Sequence, residues 1–308
     1  MDQEKEEVLA FAREAKAPNT KRAYQADWND FAAFCRSRNN VSLPADPDVV
    51  AMYLRHEAEK VKLKMTTVAR RIAAITEKHR ENGFVSPADQ WVVRNTLKRL
   101  RRELGSPARG KAPLLTADLQ KIVQIIPSTL AGTRDKAVLL LGFAGAMRRS
   151  ELVGLDVVDL ALAPEGLVLS VNQSKTDQTH QGRKTGIPYG KHEATCPVRA
   201  VLRWLDESKI GDGPLFRAVN KHGHVRMTRL TDQIIADIVK KYVRAIGKYT
   251  TKFSGHSLRA GFITSADMAG VPERAIQEQS GHRSILVLRR YIRDASIFRA
   301  NAAGKVGL

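Results

Sequence analysis

Residues 105–113 read Gly-Ser-Pro-Ala-Arg-Gly-Lys-Ala-Pro, and that stretch limits what the chain can become. Two prolines remove backbone donors and two glycines loosen the backbone, so the stretch is a linker rather than a helix or strand. It parts the 308 residues into segments 1–104 and 114–308, each long enough to bury its own core. Before the linker, apolar residues recur at helical spacing. A short charged helix is expected over 2–15. Asn19 or Thr20 caps the next, whose Tyr24, Trp28, Phe31 and Phe34 share one face. Asp46-Pro47 opens a helix through Val49, Met52, Tyr53 and Leu54. Helices over 66–82 and 89–104 stop at Gly83 and Gly105, the last with Trp91, Leu97, Leu100 and Leu104 inward. Segment 1–104 is predicted to be a small helical bundle.

After the linker the pattern mixes. Residues 116–126 and 134–144 read as helices, the second apolar enough to be buried. Short β-rich runs at 157–160, 167–171 and 185–189 read as strands, with 172–184 as a polar hairpin tip. Helices return over 196–208, 232–246, 258–268, 272–279 and 285–291. The predicted fold is mainly α with a small antiparallel β-sheet: a helical-bundle N-terminal domain followed by a mixed α/β domain.

Charge narrows the partner. There are 51 basic and 32 acidic residues, a formal net charge of +19, which favours nucleic acid over an anionic membrane surface. The excess is local. Residues 1–60 hold 9 basic and 11 acidic side chains, whereas residues 61–111 hold 13 and 4. Lys62, Lys64, Arg70, Arg71, Arg94, Lys98 and Arg101 are the candidate DNA contacts, the last three forming one helical stripe. Cys35 and Cys196 make neither a disulfide framework nor a zinc site and read as buried thiols. The acidic start is unlike a signal peptide and no run is long enough to span a bilayer, which points to a reduced cytoplasmic, nucleoid-associated protein with no membrane partner.

The last fifty residues bring together chemistry-bearing groups. His256-Ser257-Leu258-Arg259, Ser280-Gly281-His282 and Tyr291 lie within one short stretch, none at metal-ligand spacing. Arg offers a planar fork for phosphate oxygens, His moves protons near neutral pH, and Tyr can act as a covalent nucleophile. Arg148-Arg149-Ser150-Glu151 follows the buried helix, and Ser174-Lys175-Thr176 sits on the hairpin. Each group alone has an ordinary structural explanation; the ordered set does not.

The order Arg148, Lys175, His256-x-x-Arg259, Gly281-His282, Tyr291 resembles the tyrosine recombinase (phage integrase) family in its simple two-domain form, and the likeness spans nearly the whole chain. The resemblance implies a core-binding (SAM-like) domain at 1–104 and a catalytic domain at 114–308 with a tail at 292–308. It implies a site-specific recombinase that joins DNA through a 3′-phosphotyrosine and a Holliday junction, as a tetramer on two DNA sites, with no metal and no cofactor. Tyr291 matches the nucleophile, Arg148 and Arg259 the phosphate-holding arginines, Lys175 the general acid and Glu151 the supporting acid. His256 assists proton transfer, and His282 hydrogen-bonds the phosphate. The tail implies docking on a neighbouring protomer. Ser280 stands where the family usually has Leu, a departure expected to affect packing more than chemistry. Two other readings fit less of the chain: a monomeric type IB topoisomerase-like enzyme and a non-catalytic DNA-binding protein.

Lys98→Ala is expected to weaken DNA binding evenly across sequences and to flatten the salt slope by about one unit. Binding titrations at several salt concentrations check this, and a loss confined to one DNA sequence contradicts it.

Overall fold

The computed structural model describes residues 11, 16, 18–105, 110–171 and 182–292. The chain divides into two compact units, Met1–Arg109 and Gly110–Leu308. The helix expected over 2–15 (Phe11 aside), residues 172–181 of the expected hairpin tip, with Lys175, and the tail beyond 292 lie outside the described residues; residues 183 and 184, expected in the tip, belong to the strand that follows.

Among its described residues the first unit has four α-helices: α1 (Pro18–Arg36), α2 (Pro47–Glu59), α3 (Met65–Glu81) and α4 (Trp91–Leu104). Asp46 caps α2 by accepting the Asp48 N–H at 2.7 Å, with Pro47 leading the helix. Phe31, Phe34 and Cys35 of α1, Tyr53 and Leu54 of α2, Ile75 of α3 and Leu97 and Leu100 of α4 form one core. Trp91 is not inward as its spacing suggested. It is 73 % exposed, because it is the first residue of α4 and Val93, Leu97 and Leu100 already fill the inner face.

A charged cluster lies across α1, α2 and α3. Arg70 forks onto Asp27 at 2.7 and 3.0 Å. Arg71 is drawn inward to Asp30, Glu57 and the Tyr53 hydroxyl. His79 is fully buried on α3. It accepts the Ala45 N–H at its Nε2 and donates from Nδ1 to the Ile75 carbonyl, both at 2.8 Å.

The second unit is mainly helical, with two small antiparallel sheets. Helices α5 (Thr116–Ile125), α6 (Leu130–Ala144) and α7 (Arg149–Gly154) lead into strands β1 (Leu160–Ala163), β2 (Gly166–Val171) and β3 (Arg183–Pro188), in sheet order β1-β2-β3. The strand expected at 157–160 is instead a single 3-10 turn that hands over to β1 at Leu160. Helix α8 (Pro197–Ser208) packs on α6, and its buried Trp204 donates to the Leu215 carbonyl at 2.8 Å. A hairpin of β4 (Arg217–Val219) and β5 (Val225–Arg229), not expected from the sequence, precedes α9 (Asp232–Ala245). Helices α10 (His256–Met268), α11 (Glu273–Ser280) and α12 (Ile285–Ile292) close the described chain. Cys35 and Cys196 are both buried free thiols. Among the described residues no helix is long and apolar enough to cross a membrane.

Helix α10 is seated against the start of this unit. Leu114 N–H donates to the Ser257 carbonyl at 2.9 Å. A Cβ at Gly261 would stand 1.9 Å from the Leu114 carbonyl oxygen, so only glycine permits this backbone approach.

Burial holds the His79 imidazole below its ordinary value, its bond to the Ile75 carbonyl opposing. The folded chain therefore binds this proton less readily than the unfolded chain. The stabilisation is present above the ordinary imidazole value and is lost as pH falls through the window below it. Thermal unfolding is expected to show a lower Tm at about pH 5.5 than at about pH 7.5, and His79→Gln to shrink that difference. A variant as acid-sensitive as the parent contradicts this.

Candidate active site

The site begins where α6 ends. Gly145 closes the helix and Ala146 takes a left-handed φ of 46° while fully buried, a conformation that costs a non-glycine residue about 1 kcal/mol or more. The turn aims the Ala146 carbonyl at Arg259, whose Nη1 donates to it at 2.6 Å. Two residues on, Arg148 leads into α7. Glu151, 2 % exposed, accepts the Arg148 backbone N–H at 3.0 Å and its Nη1 at 2.5 Å.

Arg259 and His256 share one face of α10, three residues apart. Arg259 is 1 % exposed, so its guanidinium is held by hydrogen bonds rather than by water. Its Nη2 lies 3.1 Å from His282 Nε2 and 3.2 Å from Nδ1. His282 follows α11, which ends at Gly281 in the left-handed region, φ 63°. Gln277 Nε2 donates to the His282 carbonyl at 2.8 Å. The Ser280 hydroxyl lies 2.7 Å from His282 Nδ1. Ser280 therefore contacts a side chain of the candidate site, which the expectation of a packing role did not include.

Tyr291 stands on α12 with its hydroxyl 2.7 Å from His256 Nε2. Its ring lies 5.7 Å, centroid to centroid, from both His256 and His282. Arg148, Glu151, His256, Arg259, His282 and Tyr291 thus form one connected cluster across α7, α10, the α11 turn and α12. Lys175 lies outside the described residues.

The electrostatics follow from burying several cations together. Burial first, then Arg259, Arg148 and Arg149, hold His256 below the ordinary imidazole value. Burial first, then Arg259, Arg148, His256 and Arg183, push His282 down to about 3. Burial and Arg148 lower Arg259 to about 10, with Glu151 opposing. For Glu151, burial pushes the carboxyl up, but the Arg148 hydrogen bonds and the charges of Arg148 and Arg183 outweigh it and hold it below the usual carboxylate range. At neutral pH the histidines are neutral and the arginines charged, so the cluster suits an anion.

Arg183, which the sequence reading did not single out, belongs to this cluster. From the start of β3 it donates to Thr185 Oγ1 at 2.7 Å, the Gln279 carbonyl at 2.9 Å and Glu151 Oε2 at 3.3 Å. A Cβ at Gly281 would come within 3.0 Å of its side chain, so the left-handed glycine also makes room for it.

The expected DNA contacts divide into two kinds. Lys62, Lys64, Arg94, Lys98 and Arg101 are exposed, the last three along the outer face of α4. Arg71 is corrected: its side chain is 15 % exposed among three carboxylates and holds the first unit together. Arg70 remains half-exposed, but its fork is taken by Asp27.

Comparison with known proteins gives a consistent result. The profile of the phage integrase family matches residues 113–296, and that of the phage integrase N-terminal SAM-like domain matches residues 9–81. The integrase/recombinase xerD homolog of Selenomonas ruminantium is 40% identical over 296 residues, covering 95% of this chain and 86% of that protein. The XerH site-specific recombinase, solved in a post-cleavage complex with palindromic difH substrate, aligns with TM-score 0.66 at 18% identity over 94% of this chain and 79% of that one. A lambda integrase fragment, solved as a dimer bound to a core site, aligns with TM-score 0.63 at 16% identity over 96% and 95%. At those identities the two structures speak for the fold alone.

Arg183→Met removes hydrogen bonds to a buried carboxylate and a carbonyl. It is expected to lower stability by about 2 kcal/mol, read from urea denaturation. An unchanged midpoint contradicts the structural weight given to this residue.

Proposed function

Since the chain belongs to the phage integrase family and is a site-specific tyrosine recombinase, we propose that Tyr291 attacks a DNA phosphodiester and carries the cut strand as a 3′-phosphotyrosine. The observation that carries this reading is the 2.7 Å contact between the Tyr291 hydroxyl and His256 Nε2, at the edge of a pocket of guanidiniums. A neutral His256 accepts the phenol proton as the oxygen bonds to phosphorus. The bond from phosphorus to the 5′ oxygen breaks, and that oxygen takes a proton from Lys175. Arg148 and Arg259 hold the non-bridging oxygens, each contributing roughly 2–4 kcal/mol to lowering the barrier by analogy with single oxyanion donors. Glu151, fixed by Arg148 and Arg183, keeps Arg148 in place.

The phosphotyrosine conserves the energy of the broken bond, so a 5′ hydroxyl from a second duplex reverses the step and joins the strands. Exchange between two duplexes cuts four strands. One nucleophilic tyrosine per chain therefore calls for four protomers on two sites, passing through a Holliday junction, with residues 292–308 docking on a neighbour. The exposed basic side chains Lys62, Lys64, Arg94, Lys98 and Arg101 supply phosphate contacts from the first unit. A reaction on chromosomal or plasmid DNA is in keeping with a cytoplasmic, nucleoid-associated protein.

Incubated with DNA carrying its site and quenched with detergent, the parent protein is expected to yield a denaturation-resistant adduct. Tyr291→Phe is expected to bind the same DNA with equal affinity and yield none. An adduct formed by Tyr291→Phe reassigns the nucleophile.

A further inference from the structure

Ser280 is fully buried, and its hydroxyl has one proton and three neighbours. The Ile276 carbonyl lies at 2.6 Å, His282 Nδ1 at 2.7 Å and the Gln277 carbonyl at 3.3 Å. A carbonyl oxygen only accepts, and a guanidinium only donates. If the Ser280 proton went to Nδ1, its oxygen would face the Ile276 oxygen at 2.6 Å with no proton between two sets of lone pairs. If Ser280 donates to Ile276, each short contact holds one proton. Its lone pairs then receive Nδ1–H from His282. Arg259 Nη2 lies 3.1 Å from Nε2 and 3.2 Å from Nδ1, so the Ser280 contacts decide the tautomer, and with the proton on Nδ1 the lone pair that accepts the Arg259 N–H is that of Nε2. A doubly protonated ring is excluded because it offers the Arg259 N–H no lone pair at either nitrogen.

We propose that Ser280 is a positioning residue for strand cleavage: it fixes His282 in the Nδ1–H tautomer, so that the Nε2 lone pair holds Arg259 in place. The proposal rests on Arg259 being a phosphate-holding residue. The identity of the protonated ring nitrogen follows from the bond the other nitrogen makes, and here both partners are named. Burial and the surrounding guanidiniums, which hold His282 down to about 3, keep the ring neutral as this network requires. Arg259 is then fastened twice, by Ala146 at Nη1 and by His282 at Nη2, leaving its other N–H groups for the phosphodiester. In the resting site His282 serves the phosphate through Arg259 instead of donating to it directly.

The test is nitrogen NMR of the DNA-free protein labelled at histidine, with the His282 signals identified by their loss in His282→Gln. The expected result is a neutral ring with the proton on Nδ1. Ser280→Ala is expected to move that proton towards Nε2 and to slow single-turnover cleavage about tenfold at saturating DNA, about one hydrogen bond's worth, with DNA affinity unchanged. Ser280→Thr, which keeps the hydroxyl, is expected to retain the parental tautomer and rate. A proton on Nε2 in the parent protein overturns the proposal, whatever the variants do. So does a Ser280→Ala protein that keeps the Nδ1–H tautomer. Because the spectrum is taken without DNA, a failure of Tyr291 to form an adduct would count against the proposed reaction and leave the tautomer result standing.

Discussion

A guanidinium sealed from water must have its donors met by protein, and Arg259 at 1 % exposure is the group around which the second unit is arranged. The Ala146 carbonyl meets one arm and His282 the other. Ala146 can do so because the backbone accepts a left-handed residue after α6. Helix α10 carries Arg259 at the right depth because Gly261 lets it press against the Leu114 backbone. Arg148 and Arg183 stand close enough to lower the basicity of Arg259, and Glu151 is the carboxylate that answers them. A site of fixed, desolvated cations with little room to reorganise stabilises charge as it develops on a phosphodiester.

The same burial sets the protonation of the cluster. His256 lies among three arginines and stays neutral, 2.7 Å from the phenol beside it, as the proposed proton transfer requires. In the first unit, acidic partners decide instead. Arg71 is drawn to Asp30 and Glu57 and becomes a structural side chain, while Arg94, Lys98 and Arg101 on the outer face of α4 stay open to a polyanion. Basic residues of equal charge thus divide into paired and exposed according to which carboxylates the packing brings near.

The helical bundle and the strands β2 and β3 could be read from composition and periodicity, because glycine, proline and apolar spacing act locally, whereas β1 was misplaced by a 3-10 turn and the β4–β5 hairpin was missed. Five of the expected catalytic positions and Glu151 came from the order of short motifs, and the fold brings those side chains together. What could not be read depended on contacts distant in sequence. Arg70 and Arg71 looked like the other basic residues until α1 placed Asp27 beside one and Asp30 beside the other. Trp91 had the right spacing but stood at a helix start. Arg183 had no motif around it; only the pairing of Val171 with Arg183 across β2 and β3, and the approach of α11, give it a role. Ser280 looked like a conservative change in packing until its hydroxyl was found against His282.

The most direct measurement of the central claim is to identify the atom that holds the DNA. A covalent complex trapped on a nicked substrate, digested with protease and nuclease and sequenced by mass spectrometry, should yield one nucleotide-bearing peptide with the modification on Tyr291. A modified residue elsewhere, or a nucleotide attached through its 5′ phosphate, would contradict the account of a buried arginine pocket serving attack by Tyr291 on the 3′ side of the cut.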